Sequence, residues 1–261
     1  LCHLGMIAPG RQADFVILDN VIDLNVVDVY HCGKRIIKEE KTELKICPPY
    51  LKNTVHVSGF SEERLKLKHP GTKARVIQMQ EKQIVTKAVL EEVPWVEENG
   101  GKYFAPDREY QKIAVIERHK NTGKMGVGIV KGYGIRGGAI ASSVSHDSHN
   151  IIVIGDNDHD MALAVKEMIR TQGGYTLVCN GEIYGTLPLP VMGLISDAGY
   201  ERVNEALARM IPKAHEMGVK EGFDPFITLS FMALPVIPEI RVTPRGIYLV
   251  NEDSIIRTPF G

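Results

Sequence analysis

Two histidines, an aspartate, a serine and an asparagine occupy five consecutive positions: His146, Asp147, Ser148, His149 and Asn150. Such a set can move protons, hydrogen-bond a polar ring, or offer imidazole and carboxylate to a metal. His146 and His149 stand three residues apart and share a face only if the segment is helical. A closed metal site takes three or four ligands. This run supplies two or three, with Asp147 either a ligand or the group that orients one. The plain alternative is a polar turn in which serine and asparagine side chains satisfy neighbouring backbone groups ahead of the apolar run Ile151–Ile154.

Other candidates carry less. Asp156, Asp158, His159 and Asp160 begin like a calcium loop, but Met161 stands where the sixth-position glycine belongs. Capping and the helix macrodipole account for carboxylates there. The glycines of "GYGIRGG" lie among β-branched residues and open no helix, so tight β-turns are expected rather than a phosphate cradle. Cys179 falls in a strand pattern with no adjacent base and reads as packing. His119 closes the apolar strand "KIAVIERH" beside Arg118, where a site role and an ordered strand end are both open. Spacing alone assembles no Ser/His/Asp set.

The elements that must position these residues are strands first. "NIIVIG" is a continuous apolar run, as in a strand buried on both faces. Asp158 offers an N-cap to an amphipathic helix that Gly173-Gly174 ends. "YTLVCNGEIYGTLPL" reads as a hairpin about Asn180-Gly181. Ser196 or Asp197 can cap a second helix through "YERVNEALARMIPKAHEMG", with Pro212 kinking it. Prolines 225, 235, 238 and 244 exclude one uninterrupted strand near the C-terminus. Upstream, "ADFVIL" and "VVDVYHCG" read as short antiparallel strands turned at Gly33-Lys34, which need a partner sheet. "KARVIQMQ" and "IVTKAVLEEV" are further strands. The pattern is α/β in the mixed α+β sense, without internal repeats.

Bulk properties narrow the class. The chain has 261 residues, 44% of them hydrophobic and 24% charged, with a net charge of −1. That balance favours a globular core and excludes a basic field for nucleic acid. No apolar run is long enough for a membrane span, and no signal peptide is evident at the start. The four cysteines form no CxxC pair, which argues against a zinc knuckle or a disulfide framework and for reduced cytoplasmic thiols.

Two resemblances cover nearly the whole chain. "GMIAPGRQADFVILD" resembles the segment that follows the barrel in the amidohydrolase superfamily. "IAVIERH", "GVGIVKGYGIRGGAIASSVSHDSHNIIVIG", "LPLPVMGLISD" and "FITLSFMALPVIPEIRVT" are similar to the C-terminal domain of the adenine deaminase family. The resemblance implies remnant β-sandwich strands over 1–45, a linker with peripheral strands over 46–73, an adenine deaminase C-terminal-type domain with a mixed sheet and two main helices over 74–251, and a tail over 252–261. It implies hydrolysis of adenine to hypoxanthine and ammonia, in purine salvage, by a cytoplasmic homo-oligomer. The water would be activated by a divalent metal, manganese or iron, in a (β/α)₈ barrel.

The barrel's His-x-His pair and metal carboxylates have no counterpart in this sequence. The chain therefore reads as a C-terminal portion that begins after the barrel, inactive alone, with no complete metal site. Within it, His146, Asp147 and His149 are the expected catalytic contributors at the barrel mouth. Ser145, Ser148, Asn150 and His119 are the expected substrate contacts. The alternatives are a non-catalytic structural or oligomerisation domain, or part of an amidohydrolase for another cyclic amidine or amide.

Overall fold

The structure, a computed structural model, describes residues 2–36 and 47–261. The chain separates into two compact units, Leu1–Ile46 and Cys47–Gly261. The expected boundary at 45/46 and the start of the linker lie outside the described residues.

The first unit is a three-stranded antiparallel sheet of β1 (Phe15–Leu18), β2 (Val26–His31) and β3 (Lys34–Arg35), in that order. Phe15 stacks on Tyr30 across the first pair, centroids 4.6 Å apart. The β2–β3 turn is centred one residue earlier than expected, on Cys32-Gly33, with φ of 51° and 75°. Pairing of His31 with Lys34 leaves two residues between the strands. Such a loop matches strand twist when both residues are left-handed, and Gly33 accepts that conformation freely. Val16, Ile17, Val26, Val27 and Val29 are all exposed. Neighbouring strand residues point to opposite faces, so within this unit both faces carry uncovered apolar side chains.

The second unit is built on β4 (Ala74–Met79), β5 (Thr86–Glu91), a separate hairpin of β6 (Trp95–Glu98) and β7 (Gly101–Phe104), then β8 (Tyr110–Ile116), β9 (Met125–Lys131), β10 (Gly138–Ser142) and β11 (Ile151–Gly155). Helix α1 (Asp158–Thr171) leads into β12 (Gly174–Cys179) and β13 (Glu182–Pro188). Helices α2 (Tyr200–Glu216) and α3 (Ile227–Ser230) follow, and then β14 (Ile240–Thr243), β15 (Gly246–Leu249) and β16 (Ser254–Ile256). The main sheet has eight strands in the order β13-β12-β10-β11-β8-β9-β4-β5, and only the β4–β9 pair is parallel. Residues 47–73 carry two short 3₁₀ turns, Pro49–Leu51 and Glu62–Leu65, and one isolated bridge, Lys68 to Tyr103.

Both faces of this sheet are buried. Ile113, Val115, Ile152 and Ile154 point into a core with Met210 of α2, Leu229 of α3 and Val242 and Ile247 of the C-terminal sheet. Ala114, Ile116, Ile151 and Val153 point the other way, onto Met161, Val165 and Met168 of α1. Apolar residues on both parities are what "NIIVIG" predicts. The C-terminal hairpin lies so close to β9 that a Cβ on Gly126 would stand 2.1 Å from the Thr243 carbonyl oxygen. Only glycine fits there.

The helix starts differ from expectation. Asn157, not Asp158, caps α1 and accepts the Asp160 N–H at 2.8 Å. Asp158 is the first helical residue and pairs with buried Lys112. Asp156 accepts the N–H groups of Gly137 and Gly138 at 2.5 and 3.0 Å, so the acidic cluster is structural. Helix α2 begins after Gly199 with no side-chain cap. Asp197 is engaged by Lys52 at 2.5 Å, and the Ser196 hydroxyl accepts from Ala198 at 3.1 Å. The helix runs through Pro212. No described helix is long and apolar enough to cross a membrane.

Candidate functional site

The segment 143–150 joins β10 to β11 at one end of the main sheet, beside the C-terminal end of β8. Neither histidine lies on a helix; the segment is an irregular loop. The His146 N–H donates to the Ser230 carbonyl at 3.0 Å, and its ring stacks on Phe231 with centroids 5.1 Å apart. The His149 N–H donates back to the Ser145 carbonyl at 2.5 Å. His149 has φ of 49°. The two rings then stand 5.7 Å apart, centroid to centroid.

Arg118 fixes this loop. It is 1% exposed, with no carboxylate partner, and its guanidinium donates to three backbone carbonyls. Nε reaches His149 at 2.5 Å, Nη1 reaches Thr54 at 3.3 Å, and Nη2 reaches Met192 at 2.9 Å. Burial alone brings its pKa down to about 10, so it stays charged near neutrality. Gly193 makes room for it: a Cβ there would stand 2.8 Å from two guanidinium nitrogens. A fixed fork of donors can tie three segments at once, which a lysine ammonium cannot.

Hydrogen bonds join three of the four expected substrate contacts, His119, Ser148 and Asn150. His119 Nε2 donates to the Ser148 carbonyl at 2.7 Å. A carbonyl only accepts, so Nε2 carries a proton. Asn150 donates to the Ser148 hydroxyl at 3.0 Å and accepts the Arg118 N–H at 3.3 Å. His119 and Asn150 also line a cavity of about 670 Å³ with Lys120, Lys124, Arg245 and Tyr248. His146, Asp147 and His149 do not line it. A larger cavity of about 790 Å³ lies between β13 and the start of α2, lined by residues such as Glu201, Arg202 and Arg209, and holds none of the expected site residues.

Two polar atoms of the loop are buried with no partner among the described residues: the Ser145 hydroxyl and His149 Nδ1. Burial, then the neighbouring His146 and Arg118, lowers the His149 pKa despite the opposing Asp147 charge, so this imidazole is neutral near pH 7. Asp147 is exposed, with Oδ1 3.5 Å from His146 Nδ1. The loop thus presents a half-buried neutral imidazole and an exposed carboxylate, which suit proton transfer and hydrogen bonding to a polar ring. It does not fit a metal on its own. No three of its titratable side chains converge to ligand distances, and among the described residues only Asp14, His31 and Cys32 form such a group of three.

Sequence reading named Arg118 without giving it a role. Its signal is parity: Ala114, Ile116 and Arg118 share the α1 side of β8 and its continuation. A charged residue on a buried parity must find carbonyls or carboxylates. Thr54, Met192 and Ser230 take part only through backbone carbonyls and carry no such signal.

Residues 83–254 match the adenine deaminase C-terminal domain. The adenine deaminase of Desulfitobacterium hafniense (strain Y51) is 50% identical over 257 residues, covering 98% of this chain and 44% of that protein. That of Nitratidesulfovibrio vulgaris (strain DP4) is 42% identical over 254 residues, covering 96% and 44%. That of Clostridium acetobutylicum is 42% identical over 253 residues, covering 94% and 44%. The chain spans less than half the length of these relatives.

Proposed function

The chain belongs to the adenine deaminase C-terminal domain family, and from that premise we propose that it is the C-terminal portion of an adenine deaminase whose loop 145–150 forms one wall of the active site. The reaction adds water at the purine C6, breaks the C6–N bond and releases ammonia. A divalent metal, manganese or iron, would supply the activated water from the rest of the protein, because the loop does not fit a metal alone. The chain by itself is then inactive.

Within that frame His149, held neutral and half-buried, offers its accessible ring edge to the substrate or relays a proton toward the leaving amine. The exposed Asp147 hydrogen-bonds the purine edge, and Arg118 holds the loop in position from behind. The carrying observation is the pair of buried polar atoms, Ser145 Oγ and His149 Nδ1, without partners among the described residues, on a loop that Arg118 ties through the His149 carbonyl to the segments of Thr54 and Met192. Buried polar groups ordinarily find partners, and because both atoms are closed off in this chain, a shift of the loop against a substrate ring or a facing domain would complete them. The exposed apolar residues of the first unit also support a longer protein that covers them.

The test is Asp147→Asn and His149→Asn in the full-length enzyme, with adenine turnover and metal content measured together. Expected is a loss of roughly 10²–10⁴ in turnover, as for removal of a general acid or base, with bound metal unchanged. Wild-type turnover in both variants would leave the loop a purely structural element.

A further inference from the structure

The first unit holds a second cluster of chemically capable side chains. Asp14 directly precedes β1, His31 ends β2, and Cys32 opens the β2–β3 turn. Each offers one ligand atom, and those atoms all lie within 4.8 Å of one another. All three residues are exposed.

The contacts have a definite polarity. Asp14 Oδ1 accepts the Cys32 N–H at 2.7 Å and stands 3.1 Å from His31 Nδ1. Asp14 Oδ2 accepts from Gln12 at 2.6 Å. A carboxylate at Nδ1 favours the ring proton there and leaves Nε2 as the ligand atom, the arrangement that carboxylates bonded behind metal-binding histidines give. Nε2 faces the Cys32 sulfur at 3.6 Å. Zinc binds imidazole nitrogen at about 2.0–2.1 Å and thiolate at about 2.3 Å, so two such ligands at the tetrahedral angle stand roughly 3.5–3.6 Å apart. The nitrogen and sulfur already have that spacing.

We propose that His31 Nε2 and Cys32 Sγ chelate a borderline-soft divalent cation of the zinc class, with Asp14 orienting the imidazole and water filling the remaining positions. Binding releases the Cys32 thiol proton to solvent. The ion clasps the end of β2 to the first residue of the turn. This site is independent of the deaminase reading, because every residue it uses lies in the first unit and none in the 145–150 loop. A simple S–H···N hydrogen bond has the same length, and the experiment must separate the two.

The test is titration of the reduced chain with Co²⁺, read by its thiolate charge-transfer absorbance. A serine variant of Cys2, Cys47 and Cys179 isolates the remaining thiol. Expected is a saturable band that Zn²⁺ displaces, that persists in the triple-serine variant, and that is lost in Cys32→Ser. His31→Gln should abolish saturation, and Asp14→Asn should weaken binding by roughly 10–100-fold. Mass spectrometry of unmodified protein provides a second readout: Zn²⁺ should slow alkylation of Cys32 and not of Cys2. No band, a band surviving Cys32→Ser, or alkylation of Cys32 indifferent to Zn²⁺ would overturn the proposal and leave the hydrogen bond.

Discussion

Replacing Arg118 with methionine keeps much of the side chain's length and removes all three carbonyl contacts. Hydrogen bonds from a charged donor contribute about 1.5–3 kcal/mol each, although the contact to Thr54, at 3.3 Å, is the weakest of the three. Against this, the guanidinium already bears a desolvation cost: its fall to about 10 corresponds to about 3 kcal/mol, which methionine would relieve. The carbonyls of Thr54, His149 and Met192 lose their donor, and His149 loses what fixes its backbone. The balance is a destabilisation of about 2–5 kcal/mol. At roughly 2–4 °C per kcal/mol for a domain of this size, the melting temperature should fall by about 5–15 °C. Differential scanning calorimetry of the chain reads this directly. Lysine should recover only part of the loss, because one ammonium cannot span three acceptors. A melting temperature within about 2 °C of wild type in Arg118→Met would refute the view that this side chain fixes the loop.

Gly193→Ala should cost about 1–3 kcal/mol by urea denaturation, since φ is 71° and the new Cβ meets the guanidinium; in an Arg118→Met background the cost should shrink to the backbone share. Burial pushes the Glu117 carboxyl up, but the N–H groups of Thr122, Lys120 and His119 and the Thr122 hydroxyl outweigh it and hold the pKa at about 2. Its folded value lies below the unfolded one, so its stabilisation is present above about pH 4.5 and is lost as pH falls toward 2, at most about 3 kcal/mol. Glu117→Gln should flatten the acid limb of a stability–pH curve. His149 has a folded pKa below its ordinary value, so below about pH 6.5 the unfolded chain takes the proton first and stability falls. His149→Asn should reduce that slope between pH 7.5 and 5.5, leaving the share of His69, which burial also lowers.

Local chemistry was the legible part of the sequence. Ile151–Ile154 read as a strand buried on both faces because apolar residues fill both parities, and the structure places them against α1 on one side and the α2 core on the other. Asn180-Gly181 announced its hairpin through the two left-handed residues such a turn needs, and both have positive φ, 50° and 83°. Failures came where distant partners compete for a side chain. Ser196 and Asp197 are reasonable caps until Lys52, 145 positions away, takes the carboxylate. Sheet order was equally illegible, since β4 pairs with β9 across more than forty residues in parallel register. The loop's composition marked it as chemical, but its fixing by Arg118 depends on carbonyls of Thr54 and Met192, and a carbonyl is common to every residue.

The loop and the first unit share one physical peculiarity from opposite causes. The second unit completes its own core: Ile113, Ile152, Leu177 and Val242 are fully buried, and strands on both sides cover them. A domain able to do that has no packing need to leave the Ser145 hydroxyl and His149 Nδ1 unpaired at the end of the same sheet. Each such atom costs about 1–3 kcal/mol, and Arg118 prevents the loop from relaxing to recover it. The three strands of the first unit instead leave Val16, Ile17, Val26 and Val27 exposed, an apolar cost that no rearrangement of three short strands removes. Polar orphans call for a polar partner and bare valines for an apolar one. A protein more than twice this length can supply both, and the stability of the 261-residue chain should therefore respond to Arg118 in the second unit while remaining indifferent to polar substitutions at Val16 or Val27. In a longer protein of the relatives' length, as proposed above, the same substitutions should destabilise.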